Sequence, residues 1–283
     1  MLLSCFIRDL EKKLQSLYPE MEAREITLRL CEDFLGVNRL AHILDPGYTI
    51  PSDRLAGLED CVARLLKAEP LQYVVGSADF YGRKFKVSNA VLIPRPETEE
   101  LVRHSLEAVP HRGRVIDLCT GSGCIAWTVI KERPDTEVYA VDISSDAIAL
   151  AASQFEGPSP CFIKADIREK LPLEGEFDVL VSNPPYIPES EKAAMRANVL
   201  EYEPGLALFV PDDDPLIFYR ALKDRCLELL RAGGEAFMEI NENFSSRVER
   251  IFGSEDFADV GILRDFAGKP RIIHIRKQAR TSL

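Results

Sequence analysis

The sequence predicts an α/β protein: a doubly wound, mostly parallel sheet, preceded by a small helical bundle and a β-hairpin connector. Three observations carry that reading. From Arg114 onward, short apolar runs alternate with helical segments in β-α-β order. Upstream of residue 75, apolar residues recur only at helical spacing. Between the two lies Phe80-Tyr81-Gly82-Arg83-Lys84-Phe85-Lys86-Val87, which alternates with period two around a glycine, as a hairpin does. The domain ranges expected are 1–75, 76–93 and 94–283.

The bundle is read from its apolar spacing. Phe6, Leu10, Leu14 and Leu17 mark a first helix. Ile26, Leu28, Leu30 and Phe34 mark a second over Ala23 to Leu35. A short third covers Arg39 to Leu44 and closes at Asp45-Pro46-Gly47. Ser52 or Asp53 is expected to cap a fourth that carries Leu55, Leu58, Val62, Leu65 and Leu66 on one face. No ligand-like cluster stands here, so the bundle packs on itself, binds a partner, or both. After the hairpin, prolines 94 and 96 set a rigid entry, and Thr98 is expected to cap the helix holding Leu101, Val102 and Leu106.

The strands of the sheet follow in turn. Val115 to Leu118, Val138 to Val141 and Cys161 to Ile163 read as strands, and the apolar run Phe177 to Val181 reads as a fully buried parallel strand. Helices through Ile125 to Ile130 and, capped by Ser144, through Ala147 to Leu150 connect them. A long helix over Leu216 to Leu230 is expected to end at Gly233-Gly234, before a fifth strand, Ala236 to Ile240. After a helix over Phe244 to Phe252, Asp259 to Leu263 and Arg271 to Ile275 read as an antiparallel pair at the sheet edge.

Composition narrows the function. Hydrophobic content of 46% and charged content of 29% are ordinary for a globular protein. The net charge of −11 is a poor match to a polyphosphate backbone and suits a basic protein partner. The 7 cysteines are scattered without a CxxC pair, which argues against a disulfide framework or a zinc site and for a reducing cytosol. No apolar run reaches membrane-spanning length and no signal peptide is recognised, so the expected location is cytoplasmic, without membrane contact. Asp212-Asp213-Asp214 reads as a solvated loop, and no metal site is expected.

Two stretches carry chemistry. The first is Val181-Ser182-Asn183-Pro184-Pro185-Tyr186. The prolines cannot continue a strand, so it stops at its carboxyl edge, where open α/β sheets place ligands. The Asn183 side-chain oxygen and the Pro184 carbonyl are neighbouring acceptors that can hold an NH₂ group by both hydrogens, and Tyr186 can stack a planar group. By themselves these residues also describe an ordinary strand-to-loop turn. The second is Cys119-Thr120-Gly121-Ser122-Gly123-Cys124, between the first strand and its helix. It has two glycines of a dinucleotide fingerprint, but Ala126 stands where the third would be. Asp142 ends the next strand, about twenty residues on, where a carboxylate can take both ribose hydroxyls. Asp117 could anchor the loop or an ammonium group; Asp166, after the third strand, could reach an adenine amine or cap a turn. S-adenosylmethionine fits this pattern better than NAD. It bears ribose and adenine but no phosphates, and no His or Lys stands beside the Asn183 stretch for hydride chemistry. The 4 histidines, His42, His104, His111 and His274, lie outside both stretches.

Asn183-Pro184-Pro185-Tyr186 resembles the motif of methyltransferases that modify planar nitrogen. Gln72-Tyr73-Val74-Val75-Gly76, Phe80-Tyr81-Gly82 with Phe85-Lys86-Val87, Ile93-Pro94-Arg95-Pro96-Glu97-Thr98-Glu99, and Asp117-Leu118-Cys119-Thr120-Gly121-Ser122-Gly123 make the likeness specific. Together they resemble the peptide chain release factor N5-glutamine methyltransferases, the PrmC/HemK family, over nearly the whole chain. The resemblance implies a seven-stranded Rossmann-like class I methyltransferase sheet. It implies methyl transfer to the glutamine of a Gly-Gly-Gln loop in class I release factors, with S-adenosyl-L-methionine as cofactor and S-adenosyl-L-homocysteine as product. It assigns cofactor binding to Cys119, Thr120, Gly121, Ser122, Gly123, Asp142, Asp166, Ile167 and Asn183. It assigns substrate binding to Asn183, Pro184, Pro185 and Tyr186, with Asn183, Pro184 and Tyr186 catalytic. The bundle would dock the release factor, and the enzyme would act as a monomer without touching nucleic acid. Two positions depart from the family pattern: Cys119 stands where glycine is usual, and aliphatic Ile167 stands near the site of an aromatic. The rival reading from the same motif is an N6-adenine methyltransferase acting on DNA or RNA. A nucleotide-dependent oxidoreductase and a non-catalytic binding module are weaker alternatives.

Overall fold

A computed structural model describes residues 1–173 and 175–279; the last positions of the range 94–283 lie outside the described residues. The chain divides into two compact units, one of Met1–Ser77 with Arg196–Tyr202, the other of Ala78–Met195 with Glu203–Leu283.

The first unit is helical: α1 (Leu3–Leu14), α2 (Glu20–Leu35), α3 (Ala41–Leu44), α4 (Ser52–Leu65) and α5 (Leu71–Val75). Its core gathers Leu3, Phe6, Leu10 and Leu14 against Leu28, Leu30, Leu58 and Leu65. Two expectations need correction. Leu17 falls beyond the end of α1 and is exposed. Neither Ser52 nor Asp53 caps α4: Pro51 occupies the cap position and no side chain bonds there. Proline can open a helix because the first amides need no partner inside it.

The second unit opens with the hairpin, β1 (Ser77–Phe80) and β2 (Arg83–Lys86). Tyr81 and Gly82 form its turn, both with positive φ. Then come α6 (Pro96–Ala108), β3 (Arg114–Leu118), α7 (Cys124–Glu132), β4 (Glu137–Asp142), α8 (Ser145–Ala152), β5 (Cys161–Lys164) and β6 (Phe177–Ser182). Two-residue strands β7 (Ile187–Pro188) and β8 (Phe209–Val210) pair across short helices α9 (Ala197–Tyr202), part of the first unit, and α10 (Gly205–Leu208). The chain closes with α11 (Ile217–Leu229), β9 (Leu230–Glu239), α12 (Ser245–Phe252), β10 (Phe257–Arg264) and β11 (Pro270–Lys277).

Seven strands form one sheet in the order β10-β11-β9-β6-β3-β4-β5. The strands from β9 to β5 are parallel; β11 pairs antiparallel with both β9 and β10, so β11 is reversed and the edge strand β10 runs the same way as the parallel set. Alternation along the strands builds two cores. Ile116, Leu118, Leu180 and Met238 face α11 and α12, where Tyr219, Leu222, Cys226 and Phe252 meet them. Val115, Val179, Val181 and Phe237 face α6 and α7, where Leu101, Leu106, Trp127 and Val129 meet them. Both faces of the central strands are thus covered, which explains their mainly apolar character; Asp117 and Asp178 interrupt the runs of β3 and β6, and the edge strand β5 is exposed or half-buried along its length.

One boundary differs from the expectation. Gly233 and Gly234 do not end the helix; α11 stops at Leu229 and the glycines lie inside β9. The pairing of β6 with β9 skips in register between Phe177 and Val179. Between the flanking pairs β9 advances from Leu230 to Glu235 while β6 advances only from Phe177 to Val179; Gly233, at φ 73°, lies in that surplus, and a Cβ on Gly234 would stand 3.1 Å from the carbonyl oxygens of Phe177 and Asp178. These glycines serve a bulge and a close strand approach.

Candidate active site

Strand register assembles the site. Leu118 of β3 lies level with Val141 of β4 and with Ser182 of β6, and Ser182 lies level with Met238 of β9. The next residue on each is Cys119, Asp142, Asn183 and Glu239, so these side chains form one row along the carboxyl edge. The connections turn in opposite directions on either side of β3, between β4 and β6, which makes this edge the topological switch point.

The loop after β3 is held in place from three sides. Thr120 donates its backbone N–H to the Val141 carbonyl at 3.0 Å, and Gly123 donates to the Thr120 carbonyl at 2.8 Å. Asp117 Oδ2 accepts the Thr120 hydroxyl at 2.5 Å and the Ala126 N–H at 3.2 Å. Burial nevertheless pushes the Asp117 carboxyl up to about 7, against the pull of those donors. Gln154 donates to the Ser122 carbonyl at 3.0 Å while its oxygen accepts the Lys86 N–H at 2.7 Å. The hairpin and the glycine loop are therefore clamped by one side chain. Gly123, at φ 77°, also lets α8 approach: a Cβ there would stand 3.0 Å from that of Ala151. Cys119 adopts φ 63°, a left-handed conformation that favours glycine.

Asp142 binds the loop and the next helix together. One carboxylate oxygen accepts the Gly121 N–H at 2.8 Å and the other accepts the Ser144 N–H at 2.9 Å. Burial raises its pKa, opposed by those amides. Each oxygen has a further lone pair, so both remain able to accept a hydroxyl.

Cys119, Thr120, Gly121, Ser122, Asp142, Asp166, Ile167, Asn183 and Pro185 line one cavity, together with Ile93, Arg95, Thr98, Ile143 and Phe218. Gly123, Pro184 and Tyr186 are not in its lining, and neither is any histidine. Its cations are Arg95 and Arg168 among the described residues. Arg95 is paired with Glu203 at 2.5 Å and Arg168 with Asp166 at 2.6 Å. Asp166, expected near an adenine amine, faces the cavity, but its carboxylate is engaged by Arg168, whose hydrogen bonds hold its pKa below the ordinary value. A cavity whose cations are neutralised offers no grip to a diphosphate. A paired acceptor at Asp142 between apolar Ile143, Ile167 and Phe218 fits the ribose and adenine of S-adenosylmethionine.

At the end of β6, Ser182 donates its hydroxyl to the Leu118 carbonyl at 2.7 Å, which ties the two strand tips. Asn183 Nδ2 donates to Thr98 Oγ1 at 3.2 Å. Among the described residues, Asn183 Oδ1 accepts no hydrogen bond. The Tyr186 hydroxyl stands 3.4 Å from Glu239 Oε1, and burial and that carboxylate raise its pKa. Thr98 does not cap α6, where Arg95 is the cap residue and no side chain bonds; its hydroxyl donates to Glu239 Oε2 at 2.7 Å. Sequence reasoning missed Glu239, Thr98 as a site residue, and the Gln154 clamp. The first had a legible signal, a carboxylate ending a buried strand; the clamp, joining residues 68 apart, had none.

Comparison with known proteins agrees with this geometry. Residues 97–201 match the methyltransferase small domain, and residues 6–76 match the PrmC N-terminal domain. A release factor glutamine methyltransferase of Bacteroides thetaiotaomicron is 41% identical over 93% of this chain and 96% of its own length. One of Flavobacterium psychrophilum is 33% identical over 97% of this chain and 99% of its own. A crystal structure of a methyltransferase from Pyrococcus furiosus, 16% identical, shares the fold at a TM-score of 0.53, covering 81% of this chain and 100% of that one. S-adenosylmethionine is accordingly the methyl donor, and the chain belongs to the release factor glutamine methyltransferase family.

Proposed function

We propose that this enzyme transfers a methyl group from S-adenosylmethionine to the side-chain amide nitrogen of the glutamine in the Gly-Gly-Gln motif of class I release factors, and so tunes translation termination. The observation that carries this reading is the Asn183 amide, whose NH₂ is engaged by Thr98 and whose oxygen is left over at the cofactor cavity. The Pro184 carbonyl, which accepts no backbone partner among the described residues, supplies the second acceptor. Bound S-adenosylmethionine supplies an electrophilic methyl group on a sulfonium. Asn183 and Pro184 hold the substrate NH₂ by both hydrogens, orient its lone pair and increase electron density on a nitrogen weakened by amide resonance. Catalysis is then mainly positioning, with the two oxygen dipoles stabilising the positive charge that develops on nitrogen. The surplus proton leaves after transfer, so no strong base need act first.

The helical unit, with Leu40, Ile43 and Leu44 exposed, is the proposed docking surface for the release factor. The proposed working form is a cytoplasmic monomer without direct contact to nucleic acid or membrane. The 7 free cysteines suit a reducing compartment, and among the described residues no helix is long and apolar enough to cross a membrane. The net charge of −11 and the names of the relatives favour a protein substrate over DNA or RNA adenine.

The test is a labelled-methyl transfer assay offering purified release factor, DNA and ribosomal RNA, with mass spectrometry to locate the label. Label on the motif glutamine is the expected result. Label in nucleic acid, with none in release factor, would overturn the reading.

A further inference from the structure

We propose that Thr98 and Glu239 are positioning residues that set which way the Asn183 amide faces. This rests on the role given to Asn183 above and adds the groups that impose it.

Thr98 and Glu239 are each 2% exposed. Thr98 Oγ1 lies 2.7 Å from Glu239 Oε2 and 3.2 Å from Asn183 Nδ2. A hydroxyl has one proton to give, and above about pH 7, where the buried Glu239 carboxyl is ionised, that carboxylate can only accept. The Thr98 proton therefore goes to Glu239, and the Thr98 lone pairs face Asn183. Only the NH₂ end of Asn183 can meet them. Rotating that amide by half a turn would set Oδ1 against the hydroxyl lone pairs, two acceptors without a proton between them, in a buried place where an unmade bond is costly. The chain Glu239–Thr98–Asn183 thus fixes the amide oxygen on the opposite side, towards substrate.

Glu239 is itself placed by the fold rather than by its neighbours in sequence. The β6–β9 register puts it beside Asn183, and its backbone carbonyl accepts the Tyr219 hydroxyl at 3.1 Å. Its other carboxylate oxygen faces the Tyr186 hydroxyl at 3.4 Å. The motif residues Asn183 and Tyr186 are therefore both oriented by one carboxylate, Asn183 through Thr98 and Tyr186 directly.

The experiment, run above pH 7 where Glu239 is ionised, compares Thr98→Val, which keeps the shape and removes the hydroxyl, with Thr98→Ser, which keeps the hydroxyl. Thr98→Val is expected to lower kcat by roughly 10-fold or more, the scale of one buried hydrogen bond to a charged group, with cofactor Kd near that of the parent and a Tm lowered by the unmade bonds. Thr98→Ser is expected to recover most of the loss. In an Asn183→Ala background, Thr98→Val should slow turnover no further. Unchanged kcat in Thr98→Val, no recovery by Thr98→Ser, or the same fold loss in the Asn183→Ala background would each overturn the inference. An inactive Asn183→Ala beside a fully active Thr98→Val would sink this relay alone. A fully active Asn183→Ala would sink the role of Asn183 and the relay with it. Should Thr98→Val fail to fold, Glu239→Gln replaces it: reduced kcat at parental cofactor Kd supports the relay, and parental kcat overturns it.

Discussion

Asp142 and Gly121 meet through a 2.8 Å hydrogen bond from backbone amide to carboxylate, and the second Asp142 oxygen accepts the Ser144 amide at 2.9 Å. The residue proposed to take the cofactor ribose is therefore also the residue that fixes the glycine loop. Asp142→Ala should weaken cofactor binding by about 10- to 100-fold, the scale of losing hydrogen bonds to a charged group. Asp142→Asn should not be benign, because its single oxygen can satisfy Gly121 or Ser144 but not both. Calorimetric titration with cofactor checks this; parental affinity in either variant would remove Asp142 from the site.

Asn183→Ala should act on a different quantity. Its side chain meets Thr98 on one side and the cavity on the other, and it ties no part of the glycine loop. Turnover should fall by ~10²-fold or more, the scale of losing one preorganised electrostatic contact, with cofactor affinity little changed. Steady-state methyl transfer beside calorimetry separates the two effects, and near-parental turnover would end the assignment.

The central parallel strands could be read from the sequence because both faces are largely buried, so β3, β4 and β6 appear as compact, mainly apolar runs; the edge strand β5 is exposed or half-buried. Ser144 could be read as a cap because its bond, to the Ala147 amide, spans three residues. Thr98 looked equally like a cap, and locally nothing distinguishes the two. What decides is Glu239, 141 residues away, which takes the Thr98 hydroxyl. Gly233-Gly234 misled in the same way: a glycine pair ends many helices, and only the approach of β6 shows that it serves a bulge. The placement of a site residue was thus legible where one motif carries it, as at Asn183, which lines the cavity. It was hidden where strand register brings distant residues into one row.

Cys119 tests whether backbone conformation governs the loop. Its φ of 63° is costly for any residue with a Cβ, by roughly 1–2 kcal/mol. Replacement by alanine removes the sulfur and keeps the strain; replacement by glycine removes both. Cys119→Gly should therefore be more stable than Cys119→Ala by about 1 kcal/mol, the reverse of the usual order in regular structure. Urea unfolding of the pair measures the difference, and an alanine variant of equal or greater stability would show that the loop is not strained there. The same φ gives a physical reason for glycine at this position in the family pattern.

Stability should also depend on pH through the two carboxyls buried under the site. Asp117 and Glu239 are both pushed up to about 7, in each case chiefly by burial. Unfolded, they would titrate near pH 4. Between about pH 4 and pH 7 the folded protein then holds protons that the unfolded chain has released. Their contribution is fully present below about pH 4 and is lost as pH rises through 7, with a slope of up to about 1.4 kcal/mol per pH unit for each group. Acids with lowered values, such as Asp166 beside Arg168, act in the opposite sense but at lower pH, as protonation removes their ion pairs. His104, lowered mainly by burial, opposes the trend within the window, so the diagnostic is a difference between proteins rather than the total slope. Asp117→Asn and Glu239→Gln should each flatten the fall in urea midpoint between pH 4 and pH 7 by up to one proton's worth. Parallel curves for parent and variant would show that the folded carboxyl titrates at its ordinary value.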